Sequence, residues 1–490
     1  MSRSFFLILL LFGLFLIFLV FLRVLDADEL AFLTAAYETL KGKVCYRDFF
    51  LPQMPLSFLY LLPFANFGMN GFFAGRIFSS LLGILLGIFL FKYFFLRSGG
   101  SKREEVKIGS LFIFLSYFAN GLILSWAPVN KPHILVNLFN FFSLFFLYQG
   151  SYLLSGIFLG MAGETRAIFL VFLPIYLYYI YRFKERKKIG NFLLGFLLAQ
   201  IIGLYYFLQS PKNFLIDNIY YHLVRGDIGS NEILPRLFSD EVLFGRFFTL
   251  VKVFILPQNL FFTILTVWAF FHYQKKKEEY HFEFFSLILG GFVFFLYYLI
   301  VAPAHFQYFI QILPYLFLFN LPFFVEKGKE FSLRYQKEKR IKFLLSFLLL
   351  FYLFGTIFTI YNYASGIHLF YQKYRLNLIK EVVEEIENNS APEDEILAFY
   401  PTFPVLAKRH NLFDYETSPD FPFAERFTAQ ERRRLHLSSP EEIREKIEKK
   451  IPKLVIGIIG EKEKEFYRLE ELGYEKIRVV SDYEIYRRVE

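Results

Sequence analysis

The sequence is poor in cysteine, tryptophan and methionine, and charged residues are missing from long stretches of it. Its 490 residues include one cysteine, Cys45, with two Trp and four Met. A single thiol excludes an internal disulfide framework and a cysteine-rich zinc module. The chain is instead 55% hydrophobic and 21% aromatic, with 70 Phe, whereas a soluble domain has about 45–50% apolar residues. This composition predicts a polytopic membrane protein and excludes a disordered chain.

Apolar segments predict about eleven membrane spans. The first follows Arg3 and is expected to be an uncleaved helix; the alternative is a signal peptide, which lacks a small-x-small cleavage site here. The segments are 5–22, 72–96, 108–125, 132–149, 152–164, 166–181, 189–208, 247–272, 282–301, 306–324 and 343–361. The two shortest, 152–164 and 166–181, predict a pair of short helices that meet at Arg166.

The basic residues predict the orientation of these spans. The predicted cytoplasmic loops hold 19 Lys/Arg in 43 residues, and they are 97–107, 182–188, 274–281 and 326–342. The predicted outer segments hold 9 Lys/Arg in 84 residues, and they are 23–56, 126–131, 164–166, 209–245 and 302–305. This bias places the N-terminus in the cytoplasm. It also accounts for the net charge of +9, so a nucleic-acid-binding surface is not needed to explain that charge.

The composition changes after residue 361, and residues 371–490 predict a small α/β domain. The apolar runs EILAF, KLVIGII and KIRVV alternate with charged helical stretches near 424–436, 439–450 and 461–472. No glycine-rich phosphate loop precedes these helices, so nucleotide binding is not expected. An odd number of spans places this domain outside. The expected division is therefore a predominantly α membrane domain, 1–370, with outer loops 23–71 and 209–245, and an extracytoplasmic domain, 371–490.

Three acids stand together after the first predicted span: Asp26, Asp28 and Glu29. The stretch that follows them predicts an amphipathic helix lying in the membrane interface. Its apolar face consists of Leu30, Leu33, Tyr37 and Leu40. In that position the acids would sit near a lipid headgroup. The alternative is simple helix capping, since Asp28 and Glu29 suit the first turn of a helix.

The sequence around these acids resembles a known family. The pattern continues with Gly42, Tyr46-Arg47-Asp48-Phe49-Phe50, Pro52, Pro55-Leu56 and Arg76. Three further segments follow in the same order: WAPVNKPHILVN (126–137), MAGETRAIFLVFLP (161–174) and HFQYFIQILPYL (305–316). Together they resemble the GT-C membrane glycosyltransferases, most of all the group of protein O-mannosyltransferases and lipid A aminoarabinose transferases. The resemblance covers about 20–370, and weakly the tail.

The resemblance implies an inverting transfer of one sugar from a polyprenyl-phosphate carrier to an acceptor hydroxyl at the outer face. The implied setting is a bacterial-type plasma membrane, with membrane lipids and a glycan, lipid or protein acceptor as partners. Asp28 matches the family's catalytic acid and is the expected general base. Glu29 is expected to bind acceptor or sugar, or alternatively only to support the helix start.

A departing phosphate needs cations. Arg166 is the first candidate, because a charge between two short apolar helices is costly without a partner; its alternative is snorkelling to the interface. The other candidate binding residues are Lys131, Arg225, His305, Arg76, Gln53 and Tyr308. Relatives often carry Lys or His where Gln53 stands, which shifts phosphate binding toward Arg166 and Lys131. Arg225 is alternatively a solvated charge and His305 a structural hydrogen-bonding residue.

No obligatory metal is expected. No histidine pair has ligand spacing such as HExxH, although Asp26, Asp28, Glu29 and His133 form a set that is able to gather a divalent cation. Relatives commonly carry Asp after Arg-Pro, whereas here Lys131-Pro132 is followed by His133. Two other functions remain open: a transporter or flippase of lipid-linked sugars, and a non-catalytic scaffold that has no need of Asp28 or Arg166. The charges at predicted outer helix ends favour chemistry over transport.

Overall fold

The computed structural model is mainly helical, with one small sheet near the C-terminus. The residues that it describes are 3–97, 103–224, 240–297, 306–337, 339–364, 369–399, 402–412, 421–458 and 460–489. Within these ranges the chain forms a helical domain followed by an α/β domain, as the sequence predicts.

The helical domain contains nineteen α-helices in the described residues. Those before residue 150 are α1 Arg3–Leu22, α2 Ala27–Leu40, α3 Leu56–Leu59, α4 Leu62–Ala65, α5 Gly68–Arg97, α6 Arg103–Ile113, α7 Gly121–Trp126 and α8 His133–Tyr148. Those after it are α9 Tyr152–Thr165, α10 Leu173–Phe183, α11 Ile189–Ala199, α12 Ile201–Gln209, α13 Pro211–Leu215, α14 Tyr221–Val224, α15 Asp240–Ile255, α16 Pro257–Tyr273, α17 His281–Phe295, α18 Leu313–Lys337 and α19 Lys339–Ala364.

Short 3-10 and π segments interrupt or join these helices. The 3-10 segments are Ala167–Phe172, Arg186–Lys188, Gln274–Lys276, Phe306–Gln311 and Leu369–Tyr374, and the π segments are Phe114–Phe118 and Ile216–Tyr220. At the predicted break, Arg166 is extended, with φ −150° and ψ 117°, between α9 and a 3-10 turn.

The described residues do not confirm the eleven spans that the sequence predicts. Among the described residues one helix, α5, is long and apolar enough to cross a membrane by itself. Two bent pairs raise that number to three: Arg186–Ala199 with Ile201–Gln209, and Phe247–Ile255 with Pro257–Lys276. Six more apolar helices have 10–17 residues. The count of eleven is therefore not confirmed, because breaks at turns, prolines and π segments divide the apolar runs into shorter helices.

Phenylalanine fills both the core and the outside of the helical domain. From His133 to Phe145, every residue of α8 is buried, and its ring Phe142 lies 5.0 Å from Phe158 of α9, centroid to centroid. On the outer helices Phe6 and Phe354 are largely exposed. Such an exposed apolar surface is the one that lipid would cover.

The C-terminal sheet has five strands in the order β2-β1-β3-β5-β4. They are β1 Glu395–Ala398, β2 His410–Asn411, β3 Leu454–Gly457, β4 Tyr474–Val480 and β5 Tyr483–Arg488. The helices of this domain are α20 Leu376–Asn389, α21 Phe421–Ala424, α22 Ala429–Leu435, α23 Pro440–Glu448 and α24 Glu461–Tyr467, with a 3-10 turn at Phe403–Ala407. The three predicted strands are present. The strand β5 was not predicted, because its sequence YEIYRR is half charged; β2 has only two residues.

Helix α2 does not lie in the membrane interface. Of its predicted apolar face, Leu30, Leu33 and Tyr37 are buried inside the protein, in a cluster shared with the C-terminal domain. Its Tyr37 hydroxyl donates to the Lys408 carbonyl at 3.1 Å. The interface prediction for this face is therefore wrong, since an amphipathic pattern does not distinguish a lipid surface from a second domain.

A buried ion pair and a close backbone approach complete this junction. Glu38 of α2 lies 2.9 Å from His410 Nδ1 and 3.0 Å from Lys43 Nζ. A side chain added at Gly68 would place its Cβ 2.5 Å from the Leu406 carbonyl oxygen. The C-terminal domain thus rests directly on the end of the helical domain that carries the three acids.

Candidate functional site

The start of α2 sets the position of two carboxylates. Asp26 is the N-cap, and its side chain accepts from the Asp28 backbone N–H at 3.1 Å. Glu29 completes a capping box by accepting from the Asp26 N–H at 3.0 Å. Because these bonds fix the first turn, Asp26 and Asp28 project together toward the segment that precedes α8.

Lys131 joins the two carboxylates. Its Nζ lies 2.8 Å from Asp26 Oδ1 and 2.6 Å from Asp28 Oδ2. Lys131 is buried, whereas the Asp28 side chain is 57% exposed. Asp28 is thus the carboxylate that a molecule from outside reaches first, with a cation already behind it.

Glu29 faces the opposite way, into a fully buried ion pair with Arg76 of α5. The Arg76 Nε and Nη2 atoms donate to Glu29 Oε2 and Oε1 at 2.9 and 2.5 Å. The remaining Arg76 donors bind the carbonyls of Val20, Arg23 and Val24. These contacts favour the second expectation for Glu29, support of the helix start, and give Arg76 the same kind of task instead of phosphate binding.

Trp126 lies between two cations. The Arg23 guanidinium and the Lys131 ammonium are each 5.2 Å from the Trp126 ring centroid. Arg23 also donates to the Ser125 carbonyl at 3.1 Å. The indole therefore holds Lys131 by a cation–π contact, and it also forms one wall of the acidic site.

A path of polar side chains leads from Trp126 into the helical domain. The His133 ring packs edge-on against Trp126 with centroids 5.6 Å apart, and its Nδ1 is 3.0 Å from Gln311 Nε2. Gln311 in turn lies beside the Tyr297 hydroxyl. These four residues connect the acids to a second charged group, at the break between α9 and α10.

That second group is Arg166. Its guanidinium lies 5.9 Å from the ring centroid of Tyr308 and close to the Tyr297 hydroxyl. Within the described ranges Arg166 forms no ion pair with a carboxylate, and its buried Nε has no hydrogen-bond partner. The nearby Glu164 turns away, with its carboxyl against the backbone of Gly203. Such a guanidinium is suited to an anion brought by a ligand.

Burial and mutual charge shift the pKa values at the acidic end. Desolvation raises the pKa of Asp26 above its ordinary value, an effect that Lys131 opposes and Asp28 reinforces. Burial alone would lower the pKa of Lys131, yet the two carboxylates outweigh it and raise that pKa well above normal. Lys131 is therefore always protonated, and its charge favours the ionised form of the neighbouring carboxylates.

Gln53 lies on a strained loop that precedes α3. Tyr46 has a left-handed φ of 67°, and its hydroxyl donates to the Gln53 carbonyl at 2.5 Å. Asp217 accepts from the Leu51 N–H at 3.1 Å, and the His222 Nε2 is 2.8 Å from the Pro52 carbonyl. Hydrogen bonds from the 211–224 segment thus hold residues 44–53 in place. The Gln53 side chain is half-buried.

The structure places four of the nine predicted site residues in two groups. Asp28 and Lys131 form the first, and Arg166 with Tyr308 the second. Arg225 and His305 lie outside the described residues. Among the described residues no three His, Cys, Asp or Glu side chains are arranged to hold a metal ion; the acids that the sequence offered for one are paired with Lys131 and Arg76.

Sequence reasoning missed the connecting residues. Trp126 and Gln311 lie in the segments 126–137 and 305–316 that resemble the family, but the sequence predicts no role for either, and Tyr297 lies inside the predicted span 282–301. The signal for Gln311 was an amide inside a predicted span, where a polar side chain needs a partner.

The sequence of the chain is similar to that of a mannosyltransferase. No model of a known protein family matches the sequence. GPI mannosyltransferase 1 of Candida albicans is 20% identical in an alignment 322 residues long, which covers 62% of this chain and 77% of that relative.

Two solved structures of ArnT from Cupriavidus metallidurans are similar over nearly their whole length. The form bound to undecaprenyl phosphate has a TM-score of 0.68 at 12% identity, covering 100% of this chain and 99% of that one. The apo form has a TM-score of 0.67 at 13% identity, covering 99% and 97%. These two structures confirm, at the level of the fold, the resemblance that the sequence predicts.

Proposed function

We propose that the chain is a membrane glycosyltransferase that moves one sugar from a polyprenyl-phosphate carrier to an acceptor hydroxyl. The observation that carries the proposal is the placement of an exposed carboxylate, Asp28, and a guanidinium without a carboxylate partner, Arg166, at two ends of one polar path. The fold shared with a protein crystallised with undecaprenyl phosphate supports a polyprenyl carrier. We place the reaction at the extracytoplasmic face, where the positive-inside rule puts the acids.

Asp28 acts as the general base. Its carboxylate accepts the proton of the acceptor hydroxyl, the hydroxyl oxygen forms a bond to the anomeric carbon, and the bond from that carbon to the phosphate oxygen breaks. Lys131, at 2.6 Å, favours by its charge the ionised carboxylate that a base requires. A single displacement of this kind inverts the anomeric centre.

Arg166 holds the phosphate. In the described residues the buried cations of the site already have partners: Arg76 pairs with Glu29 and Lys131 with two aspartates, while Arg23 contacts the Ser125 carbonyl and the Trp126 ring. The charge that develops on the leaving phosphate is then stabilised by a guanidinium that is fixed in advance by its contact with Tyr308. The polar residues His133 and Gln311 lie between Arg166 and Asp28, where the sugar would span the distance from phosphate to base.

The test is a comparison of Asp28→Asn with Asp26→Asn. Both remove one carboxylate that touches Lys131, and Asn at position 26 still caps the helix. Purified enzyme is supplied with a polyprenyl-phosphate sugar and acceptor, and glycosylated product is quantified. General-base removal costs about 10²–10⁴-fold in rate, so Asp28→Asn should lose most turnover while Asp26→Asn keeps much of it.

Two controls make the comparison decisive. The affinity of Asp28→Asn for polyprenyl phosphate should equal that of the wild type, because Arg166 is untouched. Undiminished turnover in Asp28→Asn removes the base assignment. Lipid-linked sugar crossing the bilayer at the wild-type rate in Asp28→Asn, without any transfer by either protein, would favour a flippase.

A further inference from the structure

The segment 211–224 has its polarity reversed relative to an ordinary surface helix. Leu215, Ile219 and Leu223, four residues apart on one face, are 45%, 50% and 38% exposed. Its polar residues Asp217 and Asn218 are buried. A water-facing helix would show the opposite pattern.

Hydrogen bonds fix this orientation. The Asn213 side-chain amide donates to the carbonyls of Tyr46 and Arg434, at 2.8 and 2.7 Å. On the same buried side, Asp217 accepts from Leu51. The segment therefore has no freedom to roll over, and its apolar stripe is held outward.

The stripe formed by Leu215, Ile219 and Leu223 continues an exposed apolar surface on α12, a helix of a predicted span. Leu204 and Leu208 of α12 are 52% and 66% exposed, and the chain passes from α12 into α13 through the single residue Ser210. An apolar surface that runs from a predicted span onto the following outer helix is continuous with the bilayer, which favours lipid over a protein partner.

Exposed cations border the stripe. Lys212 precedes it, and Arg433 and Arg434 of α22 are also exposed. Lys212 and Arg434 both act electrostatically on Glu431, and the Arg434 carbonyl binds Asn213. Lys212 and Arg434 therefore share one edge with the stripe, and Arg433 is the exposed cation next to Arg434 on α22. Cations beside an apolar stripe are the arrangement by which interfacial helices bind anionic lipid.

We propose that the 211–224 segment lies on the bilayer, with Leu215, Ile219 and Leu223 at the acyl boundary and Lys212, Arg433 and Arg434 on anionic headgroups. Through Asp217 and Asn213 the segment holds the 44–53 loop, which carries the candidate binding residue Gln53. The membrane surface thereby helps to fix the geometry of that loop.

The experiment measures the depth of a spin label in proteoliposomes. The label is attached at Ile219→Cys, and Val479→Cys on β4 is the matched control, because Val479 is an exposed apolar residue of the C-terminal domain. The native thiol Cys45 is buried and stays unlabelled in the folded protein. Accessibility to oxygen, which partitions into lipid, is compared with accessibility to a water-soluble nickel complex.

In vesicles that contain phosphatidylglycerol, the label at 219 should favour oxygen and the label at 479 should favour nickel. Replacing phosphatidylglycerol by phosphatidylcholine should move the 219 label toward water. This response should be absent in the variant Lys212→Gln, Arg433→Gln, Arg434→Gln.

Three results would overturn the proposal. A 219 label as accessible to nickel as the 479 label removes the membrane contact. An unchanged lipid response in the triple Gln variant removes the role of the cations. A label that deepens in phosphatidylcholine vesicles when inorganic phosphate is added identifies a phosphate site and not a lipid one.

Discussion

Lys131 lies 2.6 Å from Asp28 and 2.8 Å from Asp26, so one buried ammonium serves two carboxylates. The three groups together carry one negative charge. Burial disfavours ionisation of Asp26, and Lys131 is the largest influence that opposes it. The pH at which this cluster becomes able to accept a proton is therefore set by Lys131.

The variant Lys131→Gln should move the acidic limb of the rate profile to higher pH. Without the ammonium, two neighbouring carboxylates repel each other and the pKa of the pair rises. Turnover at neutral pH should fall and should recover partly as the pH is raised. The measurement is kcat against pH for wild type and variant; limbs that coincide would show that Lys131 does not control ionisation of the base.

Arg166→Ala should weaken binding of the carrier. Charge-assisted hydrogen bonds contribute about 1.5–3 kcal/mol, so the affinity for polyprenyl phosphate should fall by about 10–100-fold. Arg166→Lys keeps the charge but not the forked donors, so its affinity for polyprenyl phosphate should lie between those of the wild type and Arg166→Ala. Binding of polyprenyl phosphate to detergent-solubilised protein checks this, with Asp28→Asn as the variant of unchanged affinity. Equal affinity in all four proteins would leave Arg166 a structural residue.

Glu29→Gln should destabilise the fold, and it should have no direct effect on the chemical step. Removing one partner of a buried ion pair costs about 3–5 kcal/mol, and Arg76 would then keep its charge with only carbonyl acceptors. The expected result is a marked drop in the thermal midpoint and in expression, with Asp28→Asn retaining wild-type stability. If Glu29→Gln is instead stable but inactive, Glu29 takes a direct part in the reaction.

The sequence predicted the acids, Lys131 and Arg166 because a charge at the end of an apolar run is visible in a list of residues. It did not predict that Glu29 and Asp28, adjacent in the chain, face opposite ways, since that depends on which helix, α5, packs behind α2. It misplaced α2 itself, because periodicity shows that Leu33 is buried but not by what. The 211–224 stripe was missed for the same reason: its burial pattern is reversed, and only the fold shows which face is outward.

Asp217 provides a pH-dependent test of the 44–53 loop. Burial raises its pKa well above 3.8, so the folded protein keeps a proton there that the unfolded chain has released once the pH exceeds about 4. Because the folded state then binds more protons, stability falls as the pH rises between the unfolded and folded pKa values. Asp217→Asn keeps an acceptor for the Leu51 N–H and has no proton to lose.

The thermal midpoint of Asp217→Asn should accordingly exceed that of the wild type by a few degrees at pH 8, and the advantage should shrink toward pH 4. Asp482→Asn is the matched control, because Asp482 is exposed and its removal should leave the pH dependence as in the wild type. If Asp217→Asn is instead less stable at every pH, the carboxylate is ionised in the fold. In that case its charge, and not only its acceptor oxygen, holds the loop.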